Sequence, residues 1–194
     1  AIGHSARDTA EMLHRRGLPM EQKPFAVGVR VEHPREMIDK SQYGPAAGHP
    51  ALGAADYKLS CRPDGGRGVY TFCMCPGGIV VPAASEEGGV VVNGMSYHAR
   101  NGENANSALL CSVFKGDYGA TPKSAIEFQR KIERLAFSEA GADYSAPIIT
   151  LGDFLRGKCK TEPTVVMPTY MSGNGVRLKD PSTYLPSFVT DAIR

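Results

Sequence analysis

The segment from Phe72 to Gly78, FCMCPGG, combines two closely spaced thiols with a glycine-rich turn. Alternate side chains of a β-strand point to opposite faces, so the spacing predicts that Cys73 and Cys75 share one face. Pro76 ends the strand pairing, and the two glycines after it leave backbone N–H groups that a flat or anionic ligand can approach. Two thiols on one face could act as a thiol pair beside a redox cofactor. They would equally suit burial as small hydrophobic side chains, and the sequence leaves both interpretations open.

The sequence gives little support for a metal site around these thiols or for a hydrolase active site. Cys61 and His98 flank the two thiols, but no Cys-x-x-Cys pair occurs and the spacing fits none of the usual structural zinc patterns. A Gly-x-Ser-x-Gly nucleophile elbow is also absent from the sequence. The sequence therefore predicts no metal site and no serine hydrolase.

Two stretches after the thiol segment are dense in side-chain amides, and they contain Asn93, Ser96, Arg100 and Asn104. Asparagine is common in tight turns because its side chain hydrogen-bonds to nearby backbone, and this explains the stretches without a ligand. The functional alternative is a polar rim that orients a substrate, in which Arg100 would pair with an anionic group.

His4 and Ser5 stand where a helix is predicted to begin. Ser5 can cap that helix, and Asp8 takes the capping-box position three residues later. Free N–H groups and the helix dipole favour anions at such a position, which makes His4 a candidate phosphate or cofactor contact. A plain helix cap explains Ser5 equally well.

Composition and absent motifs exclude several classes. Neither G-x-G-x-x-G nor G-x-x-x-x-G-K-[ST] occurs. The 22 basic and 20 acidic residues give a net charge of +2, which offers no electrostatic reason to bind nucleic acid. No run of about 18 apolar residues is present, so no membrane span is predicted. Five cysteines, an odd number in a chain of ordinary size, are typical of the reducing cytoplasm.

Glycine and proline fill 36 of the 194 positions, roughly 19% where about 12% is average, which indicates many turns. The pattern predicts an α+β fold, with an antiparallel β-meander or partly closed barrel in the middle and helices before and after. The predicted strands are 25–32, 54–60, 68–75, 78–83, 89–94 and 107–114. The predicted helices run from Ser5 to before Gly17, and over 34–40, 121–139, 148–156 and 182–193.

Several stretches occur together, and in this order, in one bacterial protein family. They are AIGHSARDT (1–9), GVRVEHP (28–34), ADYKL (55–59), FCMCPGG (72–78), NGMS (93–96), ANSA (105–108) and FQR (128–130). On these stretches the chain resembles the middle segment of the bacterial FAD-dependent dehydrogenases, the NAD(P)/FAD-dependent oxidoreductases. The match covers nearly the whole chain, and FCMCPGG is its most specific part.

The resemblance implies a longer flavoprotein, in which both ends of the chain build a Rossmann-like FAD-binding domain and a substrate or cap domain is inserted between them. Residues 1–194 are then expected to form the inserted domain, with residues 1–5 as the residual edge of the FAD-binding domain. Its partners would be a small-molecule substrate and the remainder of that domain. FAD would bind the full-length parent rather than this segment alone, which would be inactive, and NAD(P) is a candidate second cofactor. The alternative is a non-catalytic ligand- or protein-binding module.

The resemblance also suggests roles for single residues, because it places FCMCPGG over the flavin ring. Cys73 and Cys75 become the candidate catalytic groups. The other candidates are the cofactor contacts Gly3, His4, Ser5, Pro76, Gly77 and Gly78, and the substrate contacts Asn93, Ser96, Arg100 and Asn104.

Overall fold

The computed structural model describes residue 3, residues 5–63 and residues 66–194, and its largest element is a four-stranded antiparallel sheet. The strands are β1 (Phe25–Pro34), β2 (Ser60–Cys61), β3 (Val69–Cys75), β4 (Gly78–Pro82), β5 (Val92–Ser96), β6 (Asn104–Val113), β7 (Ala146–Ile148) and β8 (Val176–Leu178). The large sheet contains four of these strands, in the order β1-β6-β3-β2. The strands β4 and β5 form an antiparallel pair, and β7 and β8 form a parallel pair.

The α+β prediction is confirmed, and the described strands form open sheets rather than a closed barrel. The prediction of β1 is confirmed because its valines alternate with small and polar residues, as a strand requires. The strand predicted at 54–60 is reduced to Ser60–Cys61, and the one predicted at 89–94 lies at Val92–Ser96. The parallel pair was not predicted, since three-residue strands carry too little periodicity to be recognised.

The helices are α1 (Arg7–Arg15), α2 (Arg35–Tyr43), α3 (Lys115–Tyr118), α4 (Pro122–Glu139), α5 (Leu151–Leu155) and α6 (Ser187–Ile193). Thr121 caps α4 by accepting a hydrogen bond from the Ser124 N–H, at the start of the helix that the sequence predicted over 121–139. The prediction that Ser5 caps α1 is wrong, because the helix begins one residue later and Ala6 takes the capping position without a side-chain bond. None of the helices in the described part of the chain has the length and apolar content that a bilayer crossing requires.

The hydrophobic core lies between the large sheet, α4, α6 and the two small sheets. Its buried members are Val69, Val80, Val90, Cys111, Ala136, Ala146, Tyr170, Tyr184, Leu185 and Val189. Burial raises the pKa of the Tyr184 hydroxyl and of the Cys111 thiol above their usual values, so both groups stay neutral and act as core side chains.

Candidate functional site

A β-bulge interrupts β3 at the two thiols. Phe72 pairs with Ala108 and Cys75 pairs with Asn106, so three steps along β3 correspond to two along β6. The extra residue reverses the alternation of side chains. The prediction that Cys73 and Cys75 share a face is therefore wrong: Cys75 takes the face of Phe72, and Cys73 lies in the bulge.

Cys73 has a left-handed backbone, with φ of +46°. This conformation is uncommon for a residue with a side chain, and strain of this kind concentrates at functional sites. The Cys73 thiol is exposed, while Cys75 is half-buried and its Sγ lies 3.3 Å from the Cys73 carbonyl oxygen. Both are free thiols. Their predicted catalytic role stays a prediction.

The turn after the thiols is buried and held by a neighbouring loop. Gly77 has φ of +55°, and a side chain there would collide with the backbone of Arg100. The Gly102 N–H donates to the Gly77 carbonyl at 3.3 Å, and the Ser96 hydroxyl donates to the Pro76 carbonyl at 2.8 Å. Contacts within the chain thus account for these glycines, and the predicted cofactor contacts of Pro76, Gly77 and Gly78 remain a prediction.

Arg30, on β1, joins the thiol segment to the amide-rich strands. Its guanidinium donates to the Asn106 side-chain oxygen at 2.5 Å, to the Cys73 carbonyl at 3.3 Å and to the Asn93 side-chain oxygen at 3.4 Å. Gly94 packs against Arg30 and Asn106 so closely that any side chain at position 94 would overlap both. We call Arg30, Cys73, Asn93 and Asn106 the Arg30 cluster.

Asn106 is the buried member of the Arg30 cluster. The residue is fully buried, and its side-chain nitrogen has no hydrogen-bond partner among the described residues. An unpaired buried N–H costs about 1–3 kcal/mol, so this donor is a reason to expect a bound acceptor. Together with the Arg30 charge it gives the cluster the chemistry to bind a carbonyl-bearing or anionic group.

The four predicted substrate contacts separate in the structure. Asn93 belongs to the Arg30 cluster, and Ser96 holds the buried turn. The Asn104 amide donates to the Glu32 carboxylate at 3.1 Å and to the Met167 carbonyl at 2.9 Å, so it fixes a loop. Arg100 is exposed, with φ of +49°, in the loop that covers Gly77.

The predicted cofactor contacts at the start of the chain are less well placed. Gly3 and Ser5 are exposed, and His4 lies outside the described residues. Arg7, two residues after Ser5, is instead the anchored residue of this segment. It is buried and donates to Glu133 at 2.5 and 2.9 Å and to Glu86 at 3.2 Å.

Arg7 belongs to an ion-pair cluster that joins α1, α4 and the loop between β4 and β5. Arg130 donates to Glu86 at 2.7 and 2.8 Å and to Glu11 at 2.5 Å. The hydrogen bonds from Arg130, followed by those from Arg7, lower the pKa of the Glu86 carboxyl to about 2. Glu86 therefore stays ionised at neutral pH, and the cluster connects elements far apart in sequence.

A groove of about 520 Å³ runs beside β1. We call it the β1 groove. Its floor is the segment 25–30 and Glu32, and its other walls carry mainly apolar residues. The wall residues are Val80, Val90, Val91, Val92, Ile132, Ala136, Ala146, Pro147, Ile148, Pro168, Tyr170, Val176, Tyr184 and Leu185, together with Ala108, Leu110, Gln129 and Glu133. Arg30 lines the groove as well as its own cluster.

Sequence reasoning missed Arg30, Asn106 and Arg7. Arg30 was visible as a charged residue that follows the apolar segment 25–29 of β1, and Asn106 as an asparagine inside a run of small buried residues. Nothing in the local pattern distinguishes Arg7 from an ordinary exposed helix residue, because its partners lie 79 and 126 residues away. Within the described residues no group of His, Cys, Asp or Glu side chains is arranged to hold a metal ion.

Comparison with known families shows to which family the chain belongs. The model of the family described as "FAD-dependent protein, C-terminal domain-like" matches residues 24–194, which is most of the chain. The chain belongs to this family. Membership in the FAD-dependent family agrees with the FAD-dependent part of the resemblance found on the sequence motifs, while the predicted dehydrogenase activity and the position as an inserted middle segment stay predictions.

A relative in Clostridium beijerinckii (strain ATCC 51743 / NCIMB 8052), described as an uncharacterized protein, is 51% identical over 197 residues. The match covers 100% of this chain and 36% of that protein. The chain therefore spans about a third of the length of the curated relative it matches.

Proposed function

We propose that the chain is the substrate-side domain of an FAD-dependent oxidoreductase, and that it covers the flavin of a longer polypeptide. Family membership supports the flavin, and the observation that carries the proposal is the Arg30 cluster. A guanidinium and an unpaired buried amide donor lie beside a strained, exposed cysteine. In this proposal residues 1–194 form one inserted domain, and residues 1–5 lead out of the FAD-binding domain.

The described residues suit the isoalloxazine ring of FAD, but they lack the sequence features that bind its pyrophosphate. Arg30 and Asn106 offer a positive charge and an N–H donor, which suit the carbonyl-rich edge of the isoalloxazine ring or a substrate carboxylate. The glycine fingerprint that binds a dinucleotide pyrophosphate is absent from the sequence. We therefore assign the adenosine and pyrophosphate contacts to polypeptide outside this chain.

When bound, the flavin supplies the transfer of two electrons and a proton between substrate and cofactor. The chain's own residues would bind and orient. Arg30 would stabilise negative charge that develops on the group it contacts, and Asn93 and Asn106 would fix the direction of the guanidinium. Cys73 would lie at the exposed side, where its thiol can exchange a proton.

The test uses the longer polypeptide with FAD bound. A positive charge beside the ring stabilises the reduced, anionic flavin, so Arg30→Gln should lower the midpoint potential by roughly 30 mV, a factor of about ten for a two-electron couple. The matched control is Arg134→Gln on the exposed side of α4, which should leave the potential unchanged. A spectroelectrochemical titration measures both.

An unchanged potential in Arg30→Gln would remove the Arg30 cluster from the flavin site. A polypeptide that purifies colourless and takes up no flavin would instead favour the non-catalytic binding module. Replacing both Cys73 and Cys75 with Ser tests the thiol assignment in the same protein, and flavin reduction and turnover at the wild-type rate would reject it.

A further inference from the structure

The outer edge of β1 offers a row of unpaired backbone groups. Next to the Pro34–Asn104 pair, the Arg35 N–H donates to the Glu103 carbonyl at 2.8 Å. In an antiparallel pair of strands, every second residue forms its backbone hydrogen bonds with the partner strand. Because Arg35 bonds to Glu103, the N–H and C=O groups of the odd-numbered residues of β1 point toward β6. The N–H and C=O groups of Ala26, Gly28, Arg30 and Glu32 therefore point away from the sheet. These groups have no hydrogen-bond partner within the described part of the chain.

The β1 groove follows this edge. Every residue from Phe25 to Arg30 lines it, which includes side chains from both faces of the sheet. A pocket over one face would be lined by alternate residues only. All residues of β1 are half-buried, whereas Ala105, Cys111 and Val113 of the neighbouring β6 are fully buried. The groove thus lies where the next strand of the sheet would be.

The composition of the groove calls for an apolar occupant with its own backbone. Seven members of the hydrophobic core line its walls: Val80, Val90, Ala136, Ala146, Tyr170, Tyr184 and Leu185. Unfilled space beside such side chains is destabilising. A small apolar molecule would fill the space but would leave the N–H and C=O groups of β1 unpaired. A β-strand meets both requirements: its backbone pairs with the N–H and C=O groups of β1, and its side chains pack against the apolar walls, as in β-strand addition.

The strand β7, on the far wall, cannot offer an equivalent edge. The Ala146 N–H donates to the Gly175 carbonyl and the Ile148 carbonyl accepts from the Lys179 N–H, so both residues are engaged with β8. Pro147, the residue between them, has no N–H to donate. An inserted strand would therefore hydrogen-bond to β1 and only pack against β7.

We propose that the β1 groove receives an apolar β-strand from polypeptide outside these 194 residues. The groups from Ala26 to Glu32 span about 20 Å, which corresponds to a strand of about seven residues. The relative in Clostridium beijerinckii extends far beyond the matched segment, which is 36% of its length, so a longer polypeptide has ample chain to supply it.

The whole chain has an accessible surface of 11,439 Å², whereas a compact protein of this mass has about 9,000 Å². A second copy of this chain is a poorer occupant, since its β1 is already bonded to β6 and would bring a whole sheet to a groove walled on its other sides.

Amide hydrogen exchange, resolved by residue, tests the proposal without reference to the flavin. In the 194-residue chain the Val27 and Val29 amides should exchange slowly because they bond to β6, while those of Gly28 and Arg30 should exchange fast. In a polypeptide extended to the length of the Clostridium relative, the Gly28 and Arg30 amides should slow by at least about 100-fold. Equal exchange of these two amides in both proteins would overturn the proposal.

A pair of proline variants sharpens the test. Ala26→Pro removes an outward N–H only, so it should leave Val27 and Val29 protected in the 194-residue chain but reduce the protection of Gly28 and Arg30 in the extended polypeptide. The matched control Val29→Pro removes an inward N–H and should weaken protection in both. Protection of Gly28 that depends on the concentration of the 194-residue chain, or on an added apolar ligand, would assign the groove to a second copy or to a ligand and reject the strand.

Discussion

Glu86 shows how one carboxylate can link several parts of the chain. Its two oxygens accept hydrogen bonds from Arg130 and from Arg7, and its side chain is 28% exposed. Because both partners are arginines, they remain charged over the whole pH range in which the protein folds. Both arginines lower the pKa of Glu86, so the contribution of these hydrogen bonds to stability should fall at acid pH.

We expect Glu86→Gln to lower the free energy of unfolding at pH 7 by on the order of 1–2 kcal/mol, since two arginines lose a charged partner. The pKa of Glu86 is lowered to about 2 in the folded state. A lowered carboxyl pKa stabilises above the unfolded value of 4.5 and loses this effect as pH falls toward 2. The wild type should therefore lose stability between pH 4.5 and 2 more steeply than Glu86→Gln.

Urea unfolding at a series of pH values measures this difference. The control is Glu87→Gln, the exposed neighbour, which should follow the wild-type curve. Parallel curves for wild type and Glu86→Gln would show that the cluster does not hold Glu86 in the folded protein.

At the scale of elements, the sequence predicted those whose pattern is long or chemically marked. The strand β1 was recognisable because apolar and other residues alternate along its length. The helix α4 was recognisable because Thr121 and Pro122 stand at its start and a helical pattern of apolar residues follows over many residues. The bulge at Cys73 was not, since one extra residue in a strand leaves the composition unchanged and depends on the register with β6. Ser5 misled for a similar reason, because a capping residue is recognised only if the helix begins directly after it.

The cap of α4 gives a test at this scale. Thr121→Ala removes the acceptor for the Ser124 N–H and should lower the free energy of unfolding by about 1 kcal/mol. Ser5→Ala is the matched control, and because Ser5 caps nothing it should change stability by less than about 0.5 kcal/mol. Thermal and urea unfolding measure both variants. A larger loss in Ser5→Ala than in Thr121→Ala would contradict the assignment of the two helix starts.

For the whole molecule, the candidate site was predictable only in part. The thiol segment and Asn93 were recognised from residue type and spacing. Arg30 and Asn106 become site residues only when β1 and β6 pair and bring them together. The β1 groove lies beyond prediction from local patterns, because its walls come from β1, α4, β7 and the segment around Tyr170.

We expect the 194-residue chain to bind FAD more weakly than micromolar, because the proposed domain supplies contacts to the flavin edge and none of the pyrophosphate fingerprint. A titration followed by flavin absorbance and fluorescence measures the affinity. The control is the extended polypeptide, which should retain FAD through purification. Stoichiometric binding at micromolar concentration by the 194-residue chain would show that it contains a complete cofactor site.

The close backbone approaches at Gly77, Gly94 and Gly102 have a consequence for saturation mutagenesis. At each of them even an alanine methyl would overlap main chain or a buried side chain. A scan of all substitutions should therefore find these three glycines among the least tolerant positions, next to the two thiols. Such a group of intolerant positions would look like a catalytic centre, although close packing of the chain around Gly77, Gly94 and Gly102 is enough to produce it. Loss of activity at these glycines should be interpreted together with the amount of folded protein.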